Sequence, residues 1–274
     1  MSIEEYITYI SDMKNNRKIP TGFPKLDNIL GGGLATSSLT IIGAETGLGK
    51  TTFILQVADN LVKQENVKVL FISLELNKYE LLSKTLSRIS YQNDNLESHT
   101  PNEFIGNKVN NIESYFAEYE IIRDKVFLVD RIKDKNAIID IVKTFRKKYA
   151  DDNLVVVIDY LQYIKCDSNS DKQNIDNLTR DLKTMANENN LSIIAISSLS
   201  RSGSKNIDIT SFKESGSIEY TADYLIVLKP KTTKDLAFET EGTTIIVEFL
   251  KNRFGEKKQF ELSYIGNYAT FVEN

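Results

Sequence analysis

The chain has 274 residues, enough for one large α/β domain or two small ones. Hydrophobic residues are 41% and charged residues 26%, the balance of a soluble globular protein, and the single cysteine, Cys166, excludes an internal disulfide and fits a reducing cytosol. The net charge of −4 excludes a surface that binds polyanions all over, so any nucleic-acid contact must be concentrated on one face or in a channel.

No apolar run approaches the ~18 residues of a membrane span, and no apolar signal region opens the chain, which points to the cytoplasm and away from membranes. No short-period repeat is evident. Residues 1–18 carry Ile3, Tyr6, Ile7, Ile10 and Met13 at helical spacing, ending in the polar break Asn15-Asn16-Arg17-Lys18. Such a detached amphipathic helix packs either on its own domain or on a neighbour. A loop rich in proline and glycine follows, from Ile19 to Leu34, built around a one-turn helix. Residues 19–274 then read as one unit.

Leu39-Thr40-Ile41-Ile42-Gly43 reads as a buried strand. Ala44-Glu45-Thr46-Gly47-Leu48-Gly49-Lys50-Thr51-Thr52 comes next, then Phe53, Ile54, Val57, Ala58, Leu61 and Val62 at helical spacing. Strand, glycine-rich turn, Gly-Lys-Thr and helix together are the context of a phosphate-binding P-loop. The glycines let the backbone wrap a phosphate, and the loop amides and helix N-terminus point at the anion. Lys50 is expected to reach the β- and γ-phosphates of ATP, and the Thr51 hydroxyl to ligate Mg²⁺. Ala44 stands where the pattern usually has its first glycine.

Val67–Ile72 is a second strand, leading into Ser73-Leu74-Glu75. Glu75 at a strand's C-terminal end could polarise the water that attacks a γ-phosphate, or merely cap the helix beginning near Tyr79. Residues 79–125 alternate helical stretches with polar loops, and His99 among them reads as an exposed loop residue rather than a metal ligand. Val126–Val129 is a third strand, and Ala137–Lys148 a crossover helix with a basic outer face. Leu154-Val155-Val156-Val157-Ile158-Asp159 has the Walker B pattern, in which a buried strand delivers a carboxylate to Mg²⁺ beside the P-loop.

A helix over Ile175–Asn190 and a strand over Leu191–Ser197 come next. Ser198 to Ser211 is a loop carrying Arg201 and Lys205, placed where it could touch a ligand. Lys213 to Glu219 leads into the strand Tyr224–Leu228. Thr243–Leu250 and the run from Phe260 and Leu262 read as an antiparallel hairpin, with Lys251 to Lys258 as its turn. Arg253 at the tip is either a solvated charge or a finger inserted into a neighbour's nucleotide site, and pattern alone favours the former.

Taken together, Thr21-Gly22-Phe23 with Leu26-Asp27, Ser73-Leu74-Glu75, Ile158-Asp159-Tyr160-Leu161-Gln162, Lys213-Glu214-Ser215-Gly216-Ser217-Ile218-Glu219 with Ala222-Asp223, and Lys251-Asn252-Arg253 resemble, in order and spacing, the C-terminal ATPase domain of DnaB-type replicative helicases. The resemblance runs from about residue 19 to the end. It implies a RecA-like P-loop NTPase: a mainly parallel twisted sheet flanked by helices, with an antiparallel C-terminal hairpin. It also implies a ring, hexameric in the family, that translocates on single-stranded DNA.

In that family Glu75 is the catalytic base, and Lys251 and Arg253 reach the next subunit's γ-phosphate. Lys213, Glu214 and Gly216 line the channel and bind the single-strand backbone, and Arg201, in the loop that could touch a ligand, is expected to bind DNA as well. The family usually has Arg at Lys213, and Lys keeps the charge but not the bidentate fork. Residues 1–18 match the linker helix that docks on the adjacent subunit. Primase or a helicase loader are the partners it admits.

Two departures stand out. The family's N-terminal helical domain is not in the sequence, which fits a fragment of a longer protein or a stand-alone version from a mobile element. The family's Ser-Gln-Leu-Asn-Arg is here Ser197-Ser198-Leu199-Ser200-Arg201, and Ser198 is too short to relay the γ-phosphate state to the DNA loop unaided. A RecA-like ATPase of the recombination or circadian-clock branch, and a nucleotide-binding ring subunit that unwinds weakly or not at all, remain as alternatives.

Overall fold

The computed structural model describes residues 2–7, 18–165, 170–199, 211–212, 216–231 and 242–273. Among these described residues nine strands form one sheet: β1 Ser38–Ala44, β2 Val67–Ser73, β3 Val126–Asp130, β4 Asn153–Asp159, β5 Ser192–Ser198, β6 Tyr224–Pro230, β7 Thr243–Asn252, β8 Gln259–Ile265 and β9 Thr270–Glu273. Their order across the sheet is β3-β2-β4-β5-β1-β6-β7-β8-β9. Pairing is parallel from β3 through β6 and antiparallel from β6 through β9.

The central strands are continuous apolar runs because both of their faces are buried. Successive side chains alternate between two cores. Leu39 and Ile41 of β1 join Leu154, Val156 and Ile158 of β4 on one face, whereas Ile42 joins Val155 and Val157 on the other. A slip of one residue would exchange the two sets, so register is strongly specified. The helix Lys50–Leu61 covers the second face with Phe53, Ile54, Val57 and Leu61. The helices Lys135–Lys148 and Asp171–Glu188 cover the first, through Ile138, Val142, Phe145, Leu178 and Leu182.

The antiparallel part is larger than the hairpin read from the sequence. The strand β7 runs on to Asn252, so Lys251 and Asn252 belong to it rather than to the turn. The short β9 adds a third antiparallel strand. It is fastened to the Lys50–Leu61 helix by one side chain: Gln56 Nε2 donates to the Phe271 carbonyl at 2.8 Å, and the Phe271 N–H donates to Gln56 Oε1 at 2.7 Å. His99 also departs from expectation. It is half-buried, edge-on to Phe104 and Tyr115 with ring centroids 6.0 Å away in each case, and its carbonyl accepts the Ser87 hydroxyl at 2.7 Å. Three aromatic rings gain more by packing than the loop's polar neighbours indicate. Cys166 lies outside the described residues, as do Ile10 and Met13. Residues 3–7 are helical, with Ile3, Tyr6 and Ile7 exposed.

The helix Lys78–Asn93 is bound to the Lys50–Leu61 helix by a buried ion pair. Arg88 Nη2 contacts Asp59 Oδ2, Thr85 Oγ1 donates to the same oxygen at 2.8 Å, and Arg88 Nη1 donates to the Ala269 carbonyl at 3.2 Å. Burial pushes Asp59 up and Arg88 down from their usual values, each countered by the other's charge. Arg88→Met should therefore destabilise the fold by about 3–5 kcal/mol, because it strands the Asp59 charge. The double variant Asp59→Leu/Arg88→Met should recover most of that loss, measured as denaturation midpoints.

Candidate nucleotide-binding site

Parallel register brings the functional ends together. Ser73 lies beside Asp159, and Ala44 lies beside Ser198, so β1, β2, β4 and β5 deliver their C-terminal residues to one edge of the sheet. This is the edge where open α/β sheets bind ligands. A cavity of about 320 Å³ opens there, lined by Thr46, Gly47, Gly49, Lys50, Thr51 and Thr52 of the loop and by Glu75, Asp159 and Ser198. Ala44 is the last residue of β1 and is buried, so its methyl group is accommodated within the sheet. Leu48 is buried beneath the loop, while Glu45 precedes the turn.

Gly47 and Gly49 hold φ values of +91° and +77°, the left-handed region that other residues rarely adopt. At Gly47 the dihedral alone requires glycine. At Gly49 a Cβ would also stand 2.7 Å from Tyr264 Cζ. Lys50 Nζ spans the loop, donating to the Ala44 carbonyl at 2.8 Å and the Glu45 carbonyl at 2.9 Å. An ammonium has three donors, so one remains for a ligand. Burial lowers the Lys50 pKa, against the charges of Asp159, Glu75 and Glu45.

Asp159 is the most perturbed carboxylate of the cavity. Burial raises its pKa from 3.8 to about 6, Glu75 adds to the rise, and a hydrogen bond from Thr51 and the Lys50 charge oppose it. Its Oδ2 is buried without a hydrogen-bond partner. An orphaned carboxylate oxygen, on a side chain bonded to a P-loop threonine, fits a hard divalent cation such as Mg²⁺, held by Asp159 and Thr51. Among the described residues no cluster of three acidic, His or Cys side chains could hold a metal alone. Such a cation would therefore share its shell with phosphate oxygens and water, which is Mg²⁺-like behaviour.

Glu75 is exposed and lines the cavity, and its charge acts on both Lys50 and Asp159. The helix-cap alternative is removed. Asn77 caps the helix Lys78–Asn93, accepting from the Tyr79 and Glu80 amides at 2.9 and 3.1 Å, and Glu80 bonds back to the Asn77 N–H at 2.8 Å.

Two residues at the cavity, Tyr264 and Lys84, escape sequence reasoning, and a third, Gln162, enters it only as part of a family motif, with no role assigned. Tyr264 lies against Gly49, bonds Thr52, and stacks on Phe271 with centroids 4.4 Å apart. Its signal was the alternation Phe260, Leu262, Tyr264 on one face of β8. Lys84 reaches Thr52 Oγ1 at 3.4 Å, and burial lowers its pKa. It falls two turns into the Lys78–Asn93 helix, where solvated lysines are commonplace. Gln162 donates to Ser197 Oγ at 2.9 Å and accepts the Ser198 N–H at 3.1 Å, so it sets the rim on which Ser198 sits.

Lys251 and Arg253 are not brought to this cavity. Asn252 pairs with Tyr224, and Tyr224 with Thr40, four residues and so ~13 Å along the strand from Ala44. The pair faces the opposite edge. Gly216 opens the helix Gly216–Thr221, while Arg201, Lys213 and Glu214 lie outside the described residues.

A phosphate-cradling loop, a Walker B carboxylate and a glutamate at one edge of this sheet define a RecA-like P-loop NTPase domain. The chain belongs to the family described as the DnaB-like helicase C terminal domain, which it matches over residues 18–273. It is 31% identical over 268 residues to a probable replicative DNA helicase of Trieres chinensis, covering 93% of this chain and 57% of that protein. It is likewise 31% identical over 264 residues to the replicative DNA helicase DnaB of Geobacillus stearothermophilus, covering 93% and 56%. The chain thus spans little more than half the length of these relatives. In fold it is similar to a solved ATPase domain, with TM-score 0.85 at 24% identity over 100% of this chain and 99% of that one. It is also similar to a DnaB-like replicative helicase whose interactions with primase are described, with TM-score 0.83 at 24% identity over 100% and 67%.

The Asp159 carboxylate costs the nucleotide-free fold stability. Its folded pKa is raised, so that cost is absent below pH 3.8 and complete above about pH 6. At pH 7 it amounts to about 3 kcal/mol. Asp159→Asn should therefore raise the melting temperature of the nucleotide-free protein by several degrees. The further rise on adding ATP and Mg²⁺ should disappear, both read by thermal unfolding.

Proposed function

We propose that the chain is the motor domain of a replicative-type DNA helicase, assembled in the cytoplasm as a ring of the family's hexameric kind. ATP binds in the P-loop cavity with Mg²⁺ at Thr51 and Asp159. The single observation that carries the reading is the split of charges: Lys50, Thr51, Glu75 and Asp159 line one cavity, whereas Lys251 and Arg253 lie on the opposite edge. A site so divided in one chain is completed when a second copy brings its far edge to the first copy's cavity.

The loop amides and Lys50 hold the β- and γ-phosphates. A bound Mg²⁺ would neutralise charge on the phosphate oxygens. Glu75 orients a water and takes its proton as the oxygen attacks the γ-phosphorus, and the bond to the ADP oxygen breaks. Lys251 and Arg253 of the next copy stabilise the charge that moves onto the leaving oxygens. Lys213, Glu214, Gly216 and Arg201 are proposed to follow the backbone of single-stranded DNA. Residues 1–18 form a linker helix that docks on the neighbour, and the exposure of Ile3, Tyr6 and Ile7 supports that reading. Residues 19–274 form the RecA-like domain. Primase or a helicase loader are proposed partners.

A second reading, a nucleotide-binding ring subunit with weak unwinding, is favoured by one observation. Ser198 lines the cavity where the family has a longer glutamine. A strand-displacement assay on a tailed duplex separates the two. ATP-dependent unwinding is expected, with turnover lost in Lys50→Ala and cut at least about tenfold in Arg253→Ala at nearly unchanged ATP affinity. Nucleotide binding without DNA-stimulated hydrolysis would overturn the motor.

A further inference from the structure

Asp223 is fully buried, yet it takes two cations. Its Oδ2 accepts Lys183 Nζ at 2.7 Å and the Leu39 N–H at 2.9 Å. Its Oδ1 accepts Arg253 Nη1 at 3.0 Å, and its carbonyl accepts the Arg253 N–H at 3.0 Å. Lys183 alone neutralises the carboxylate, so the Arg253 pairing is not needed to balance charge. What it does is fix direction. The Arg253 side chain is 46% exposed, and Nη2 reaches the Tyr220 carbonyl at 3.4 Å. A guanidinium has five N–H donors, so three remain for a ligand on the open side.

Lys251 is held in the same place. Its Nζ donates to the Glu219 carbonyl at 2.7 Å and to the Tyr220 carbonyl at 3.3 Å. These carbonyls lie in the last turn of the helix Gly216–Thr221, and Asp223 follows two residues after its end. Two like charges side by side repel, and burial together with Arg253 lowers the Lys251 pKa, against Asp223 and Glu219. The buried carboxylate holds Arg253 directly, and the Tyr220 carbonyl, which accepts from both side chains, sets Lys251 beside it.

We infer that Asp223 is the positioning residue of Arg253, holding its guanidinium beside Lys251 and ready for the phosphates of a nucleotide bound by an adjoining copy. The inference rests on the ring reading proposed above. Asp223 touches no substrate and acts through Arg253.

The test uses mixed assemblies, co-expressed with two tags and purified through both. An Arg253→Ala copy has a sound P-loop and no finger, and a Lys50→Ala copy has the reverse. Mixing these two should restore ATP hydrolysis at hybrid interfaces. Asp223→Asn alone should lower kcat about tenfold, with KM for ATP changed less than about twofold. Mixed with Lys50→Ala, which supplies intact fingers, it should regain activity. Mixed with Arg253→Ala it should not.

Merely disrupted folding would be rescued by neither partner. Rescue by Arg253→Ala, full activity of Asp223→Asn, or a loss confined to KM would overturn the assignment. If the Lys50→Ala and Arg253→Ala pair fails to restore activity, the ring reading itself falls and the assignment with it. Should Asp223→Asn unfold because Lys183 is stranded, Lys183→Met/Asp223→Asn removes both buried charges and faces the same comparisons.

Discussion

The structure depends on opposite charges withdrawn from water at one edge of a parallel sheet. Lys50 and Asp159 are each pushed toward neutrality by burial, and each is partly held in its charged form by the other. Neither is fully served by the protein alone: Asp159 keeps an orphaned oxygen, and Lys50 spends two of its donors on carbonyls of its own loop. Such a cavity is preorganised for a ligand that carries negative charge and a cation together. The two-sided core makes this tolerable. It locks β1 and β4 in register, so the strand ends cannot relax to bring the charges back into solvent.

Much of this was legible in the sequence because it followed from burial on two faces. The strands β1, β2, β4 and β5 announce themselves as apolar runs, and the residues after each run are those that line the cavity. The P-loop is readable because its glycines answer to dihedrals. The parts that stayed hidden share a different cause. Tyr264 and Lys84 reach the cavity, and Gln162 the strand end at its rim, through contacts between elements distant in sequence, which no local spacing encodes. The strand β9 has only four residues, too few for a period to show. His99 looked exposed because its neighbours in sequence are polar, while its neighbours in space are aromatic rings. The capping box at Asn77 and Glu80 has the spacing of a helix start, and it leaves Glu75 free of the capping role.

The sheet also explains why the cationic pair cannot serve its own chain. Parallel strands point all their C-terminal ends one way, and β7, running against them, ends at the other edge. Under the proposed reading this makes the contact between copies heterologous: one face of each copy meets a different face of the next. Contacts of that kind close into rings or run on as filaments according to the rotation between copies. Asp223 then matters as a fixed reference, because a guanidinium that must meet a neighbour's phosphate gains from being oriented before the neighbour arrives.

The Gln56 amide, bonded twice to the backbone of Phe271, has a wider consequence. It makes a side chain of the helix that leaves the P-loop act as though it were one more strand, stitching that loop's helix to β9. Phe271 in turn packs on Phe53 at 5.3 Å and on Tyr264. The strand β9 is therefore masonry rather than trim: loosening its hold on Gln56 would be felt in the loop that this helix leaves.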